Sequence, residues 1–467
     1  MNSINTVQRL AKFFAIIVIM AATFLEFHAQ ENVPDPNNAR VDELLDSLTL
    51  EQQVAQMFMV SLYGPTLNAS GRELLETWQP GGVVLFGGNV ETPEQITTLT
   101  NSHQAAITGA GGVPLLIATD QEGGWIARLR EGFTEWPPMS LLAAADDAAL
   151  AYEVGQAMAR ELRAVGLNMN LAPVADLDTN IDNPIIGRRS PGSDTDLLAV
   201  MLRGYIQGMQ AEGVAATAKH FPGHGDTAED SHVTLPLVPH DRERLEGLEL
   251  LPFAAAIEAG TGAIMVGHLW LPEFDPAGPL PATLSPAIVT GLLRVGMGYE
   301  GVIMTDAMDM DAIDTNYAAD EAALRAVRAG IDLIAYGPGS SPTDQISAMQ
   351  AIIDAVRSGD IPEERITASA RRVLLLKARL GALDWTPLDP ATARDRIDVP
   401  GTLPLIQTMF EAGVTIAFDN AERIPLRDEQ QVGIIYPGQR ISINRVCGTY
   451  RGDIRWLPLN DFPDASA

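Results

Sequence analysis

Eight short apolar runs recur along this chain, and their spacing restricts the fold more than any other feature. They are Gln56–Tyr63, Gly82–Phe86, Pro114–Thr119, Asn168–Val174, Ala215–Lys219, Ala263–His268, Gly301–Thr305 and Leu333–Tyr336, each bounded by turn-forming residues. Most are continuously apolar rather than alternating, the pattern of parallel strands covered on both faces. Amphipathic segments separate them, among them Leu150–Val165, Leu198–Glu212, Glu321–Ala329 and Asp344–Ser358. Eight such units predict an α/β fold, a (β/α)8 barrel. A last helical segment, Glu364–Leu380, stops at Gly381, a usual helix terminator, so the barrel is expected over residues 41–383. The Pro-, Asp- and Thr-rich stretch 384–401 reads as a linker. Residues 402–467 read as a short, truncated α/β appendage, too small for an ample core of its own. A helix is expected there at Leu403–Ala412, with strands at Gly413–Phe418 and Val432–Tyr436.

A barrel of this kind carries its working residues at the carboxyl ends of the strands. Asp120-Gln121-Glu122-Gly123-Gly124, Lys219-His220, His268 and Asp306 all fall just after, or at the end of, an apolar run. Their position marks them as candidate functional residues before any chemistry is considered.

The charge balance excludes some partners. With 60 acidic against 31 basic residues the formal net charge is −29. Nucleic acid requires a cationic surface that releases counterions, and anionic lipid requires a basic patch; neither is expected. A solvated acidic surface is the plain reading, and nothing calls for a specific protein partner or more than a monomer. Cys447 is the only cysteine, so no intramolecular disulfide forms and the compartment must be read from the N-terminus. There Arg9 and Lys12 precede the apolar run Phe13–Leu25, and Ala29 follows. A basic segment, an apolar stretch and a small residue make a secretory signal, or an anchor if uncleaved. Residues 1–29 are therefore set apart from the fold, and the mature chain is expected to be exported: in the periplasm, outside the cell, or held at the outer face of the membrane by an uncleaved N-terminal segment.

Three of the seven histidines, His220, His224 and His232, lie within thirteen residues, interleaved with Lys219, Asp226, Glu229, Asp230 and Ser231. Three chemistries use such a cluster. Imidazoles and carboxylates are metal ligands, although Pro222, Gly223 and Gly225 make this a loop with no helical i, i+4 pair. Lys219 ends a strand as a Schiff-base lysine would, although nearby carboxylates raise a lysine pKa rather than lower it. Glycosyl transfer needs an anionic nucleophile on one side of a sugar and a proton donor on the other. Asp306 is placed for the first role, and Asp230 with His232, two residues apart, for the second. A carboxylate would hold the imidazole in one tautomer and stabilise its charged form.

Six segments carry a resemblance. Asp120–Gly124, Asn183–Ser190, Lys219–Gly225, Asp230-Ser231-His232, Pro281–Ser285 and Thr305–Met308 resemble glycoside hydrolase family 3, and within it the bacterial β-N-acetylglucosaminidase branch, over about residues 45–381. The resemblance implies a retaining mechanism through a covalent glycosyl-enzyme, with Asp306 as nucleophile and His232, paired with Asp230, as acid/base. It implies that Asp120, Arg128, Arg189, Lys219 and His220 hold the sugar, and that no metal or organic cofactor is needed. The expected reaction is removal of a terminal β-linked N-acetylhexosamine from peptidoglycan fragments or chitooligosaccharides. Two departures stand out: Trp125 replaces the arginine that many relatives place after the double glycine, and the C-terminal part is far shorter than the second domain of two-domain relatives. In the β-glucosidase branch that domain supplies the acid/base glutamate, so its near absence beside Asp230 and His232 favours the N-acetylglucosaminidase branch. The alternatives are a β-glucosidase or β-xylosidase of the same family, a non-catalytic carbohydrate-binding barrel, and a metal-dependent hydrolase built on the three histidines.

Overall fold

The computed structural model describes residues 37–414 and the two strands Gly433–Pro437 and Arg455–Leu459. All eight apolar runs become strands: β1 Phe58–Ser61, β2 Gly82–Leu85, β3 Leu116–Thr119, β4 Met169–Asn170, β5 Ala215–Phe221, β6 Ala263–Val266, β7 Val302–Thr305 and β8 Ile334–Ala335. From β1 to β7 each pairs in parallel with the next, and β8 pairs with β1. The bridge between Met304 and Leu333 closes the circle, with the Thr305 amide donating to the Leu333 carbonyl at 3.0 Å. The (β/α)8 expectation is met.

Successive strand residues point to opposite faces, and this explains why the runs had to be apolar throughout. Met59, Met169, Met265 and Met304 fill the barrel interior with Ala118, Ala215, Ala263 and Ala335, while Phe58, Val60, Ile264, Val266 and Ile303 face the helices. Long thioether side chains beside alanines fill such an irregular interior well. The run Asn168–Val174 forms a ladder only at Met169–Asn170, because Pro173 has no N–H to donate; the neighbouring carbonyls of Ala172 and Pro173 still accept from Thr217 and Lys219 of β5.

The helices begin where the sequence supplies caps. Asp147 opens Ala148–Ala164, Asp194 opens Thr195–Ala211 and Ser341 opens Pro342–Arg357, each side chain accepting an amide of the first turn. Glu363–Arg379 is the last barrel helix, and Gly381 follows it at φ +70°. The stretch 384–401 is not the open linker its composition suggests. Asn101 clamps the Leu388 backbone from both sides at 2.6 and 3.1 Å, Arg394 meets Glu94 at 2.6 Å, and Arg396 donates to the Ala164 carbonyl at 2.9 Å. Helix Val399–Gly413 starts four residues before the expected Leu403, from the Asp398 cap, and carries Pro404 inside it. Met409 is fully buried and the Thr402 hydroxyl bonds that of Thr134 at 2.7 Å. The first compact unit accordingly runs to Val414 and the second begins at Thr415. In that second unit Gly433–Pro437 matches the expected strand Val432–Tyr436 and pairs in parallel with Arg455–Leu459. Of the expected strand Gly413–Phe418, Gly413 ends a helix and residues 415–418 lie outside the described residues, as does the N-terminal segment 1–29. Among the described residues no helix is long and apolar enough to cross a membrane.

Candidate active site

The carboxyl ends of the strands surround a cavity of about 430 Å³, within the usual range for small-molecule sites. Asp120, Arg128, Arg189, Lys219, His220, His232 and Asp306 all line it. Asp230 stands behind His232, its carboxylate 2.8 Å from Nδ1 and 2.9 Å from the His232 backbone nitrogen. All eight residues expected from the sequence are thus brought to one place.

Lys219, at the end of β5, organises the floor. Its ammonium is buried and lies 2.8 Å from Asp120 and 2.7 Å from Glu122. Burial alone would lower its pKa, but the two carboxylates outweigh it and raise the value. An ammonium paired with two carboxylates is held in its charged form, which speaks against the Schiff-base reading. Glu122 in turn receives a two-pronged bond from Arg189, at 2.8 and 3.0 Å. Burial works to raise the Glu122 pKa, and the two cations hold it well below the ordinary carboxylate range. Arg128 reaches Asp120 at 3.4 Å. The hairpin Gln121–Gly123 with Ile126–Ala127 places both carboxylates, and its turn uses Gly123 and Gly124 at positive φ, where a Cβ on Gly123 would come within 2.7 Å of the Pro137 carbonyl.

Asp306 follows β7 directly. Its backbone nitrogen donates to the Val266 carbonyl at 3.0 Å, and its carboxylate accepts the Ala307 amide at 2.8 Å. Burial would raise its pKa, but His220, His268, the Ala307 amide and Lys219 together lower it, so the group is an anion. His268 holds the turn: its Nε2 donates to the Ala307 carbonyl at 2.9 Å, and its Nδ1 accepts from Thr283 at 2.7 Å.

The three clustered histidines serve three different purposes. His220 gives its Nδ1 to the buried Asp176 at 2.7 Å, while its Nε2 lies 3.4 Å from Arg189. His224 points away from the cavity, with Nδ1 on Thr227 at 2.7 Å and Nε2 on Ser231 at 3.0 Å, and burial lowers its pKa to about 4. His232 is the exposed member. Their ring nitrogens do not converge, and among the described residues no group of three His, Cys, Asp or Glu has metal-site spacing. The metal-hydrolase alternative therefore lacks its ligand set.

Two residues at the site escaped the sequence reading. Glu122 stood in the Asp120–Gly124 motif and was passed over for its neighbour. Asp176 accepts the His220 backbone and ring and the His224 backbone nitrogen; it follows the fourth apolar run, and the strand-end rule that picked out Asp306 also finds it.

Residues 49–376 match the glycosyl hydrolase family 3 N-terminal domain. The chain belongs to glycosyl hydrolase family 3. Among relatives of this family 3 chain, the β-hexosaminidase A of Pseudoalteromonas piscicida is 34% identical over 79% of this chain and 64% of its own length. The β-hexosaminidase of Alkalilimnicola ehrlichii is 39% identical over 59% of this chain and 79% of its own. A family 3 β-N-acetylglucosaminidase from Paenibacillus superposes with a TM-score of 0.81 at 38% identity, over 88% of this chain and 80% of that one. The chain therefore spans a little under two thirds of the Pseudoalteromonas enzyme.

Proposed function

We propose that this family 3 chain is an exo-acting, retaining β-N-acetylhexosaminidase that removes terminal β-linked N-acetylglucosamine from peptidoglycan fragments or chitooligosaccharides. The observation that carries the reading is the pairing, across one cavity, of an anionic Asp306 with a His232 whose Nδ1 is held by Asp230. Asp306 attacks the anomeric carbon as the His232 Nε2–H protonates the departing glycosidic oxygen, and a glycosyl ester on Asp306 forms. Asp230 stabilises the imidazolium before the transfer and fixes the ring's tautomer. His232, now neutral, then takes a proton from water as that water attacks the same carbon and frees Asp306. Histidine's ordinary pKa near 6.5 suits a group that gives and then takes a proton. Asp120 and Lys219 are placed to bond sugar hydroxyls, and the names borne by the relatives support an N-acetylhexosaminide as substrate. The basic and apolar N-terminal segment supports action after export.

Comparing kcat/KM on 4-nitrophenyl N-acetyl-β-glucosaminide, β-glucoside and β-xyloside, each with and without phosphate, tests the assignment. The N-acetylglucosaminide is expected to be preferred by more than tenfold, and a glucoside or xyloside preference would sink it.

A further inference from the structure

We propose that Trp125, with Arg188 laid across one face of its ring, is the platform that receives the second sugar of the substrate, the aglycone; this rests on the exo-glycosidase reading above. Trp125 sits at the tip of the Gln121–Gly123/Ile126–Ala127 hairpin and is 62% exposed. The Arg188 guanidinium lies 5.3 Å from the ring centroid, a cation–π contact that orients the indole. The backbone beneath is braced: Arg130 donates to the Trp125 and Ala127 carbonyls at 2.9 and 3.0 Å, and Gly124 donates to the Trp136 carbonyl at 2.8 Å. This is a held ring rather than a loose one.

Its place beside the cavity gives it a purpose. Ile126 and Arg189, the chain neighbours of Trp125 and Arg188, both line the cavity, whereas Trp125 and Arg188 do not. Both members of the plate thus adjoin, in the chain, a residue of the cavity wall. An exo-acting site encloses the sugar being transferred and leaves the next one outside the mouth. A pyranose presents an apolar face of C–H groups suited to an aromatic ring, ringed by oxygens that a guanidinium can donate to. Arg188 has no carboxylate partner among the described residues, although the chain carries a net charge of −29, so its N–H groups are available to a ligand.

The test compares two substrates that share the transferred sugar. N-acetyl-β-glucosaminyl fluoride has no second ring, and N,N′-diacetylchitobiose has one. In Trp125→Ala, kcat/KM on the disaccharide is expected to fall about tenfold, chiefly through KM, consistent with about 1.4 kcal/mol of lost contact, while the fluoride changes by less than about twofold. Trp125→Tyr should keep most of the disaccharide rate, and Arg188→Gln should lose a few fold on the disaccharide alone. Equal losses on both substrates would overturn the proposal, since Trp125 would then support the cavity itself; so would an unchanged disaccharide rate. A wild-type protein that hydrolyses neither N-acetylglucosaminide would withdraw the glycosidase reading, and this one with it.

Discussion

His220 and His232 both direct Nδ1 at an aspartate, at 2.7 and 2.8 Å, and both line the same cavity. They differ in burial. The Asp176 side chain is 0% exposed and His220's is 7%, whereas Asp230's is 31% and His232's is 57%. Asp176 also receives two backbone amides and is locked in place. Asp230 sits instead on a loop pinned on either side: His224 holds Thr227 and Ser231, and His240 pairs with Asp226. The same pair of side chains can thus serve to position or to exchange protons, and access to water separates the two uses. The Asp176–His220 pair is held rigid by burial, while the Asp230–His232 pair is open to water.

Three variants press on that contrast. Asp306→Ala should have the largest effect, a fall in kcat of about 10⁴-fold or more on the aryl N-acetylglucosaminide, because neither histidine replaces a nucleophile. Retained turnover in that variant would remove the basis for dividing the roles at all. His232→Ala should cost about 10²- to 10⁴-fold. Its loss should shrink with a dinitrophenyl leaving group, which departs without protonation, and the histidine limb of the pH–rate profile should disappear. His220→Ala should raise KM while leaving the shape of that profile intact. If the limb vanishes in the His220 variant and survives in the His232 variant, the two assignments must be exchanged.

The sequence made the barrel legible because an apolar run at each strand is obligatory when both strand faces are buried, as the split between interior Met59 and outward Phe58 illustrates. Asp120, Lys219 and Asp306 were legible for a related reason: polar residues directly after such runs have one place to go. Partnerships were not. Arg189 meets Glu122 across 67 positions and Lys219 meets Asp120 across 99, and no local pattern encodes such pairings. Arg189 acts toward Glu122 as a counter-ion, a contact that its motif alone does not announce. Composition misled at 384–401, where Pro, Asp and Thr suggested a free tether. Asn101, Arg394 and Arg396 fasten that stretch through partners that composition does not reveal.

The smallest expected effects come from Asp176, and they probe the sealed pair alone. Asp176→Asn keeps the shape but offers an N–H₂ where three donors converge, so part of that set is left unsatisfied. A displacement of His220 by a fraction of an ångström should lower kcat/KM about ten- to a hundredfold, and the unmatched buried donors should cost about 1–3 kcal/mol of stability at neutral pH. The pH dependence separates charge from shape. Burial would raise the Asp176 pKa, but the His220 and His224 contacts outweigh it, and the folded-state value is lowered. A depressed carboxylate pKa stabilises the fold at every pH above the unfolded value, about 3.9. That contribution fades as pH falls through the lower folded value. Urea denaturation of wild type and Asp176→Asn at pH 7, 5 and 3 should therefore show a stability gap that does not narrow from 7 to 5, where protonation of the adjacent His220 can only widen it, and that is narrower at 3. A gap that narrows between pH 7 and 5 would mean that Asp176 takes up its proton in the folded protein well above the carboxylate range, and the sealed pair would then be a neutral one.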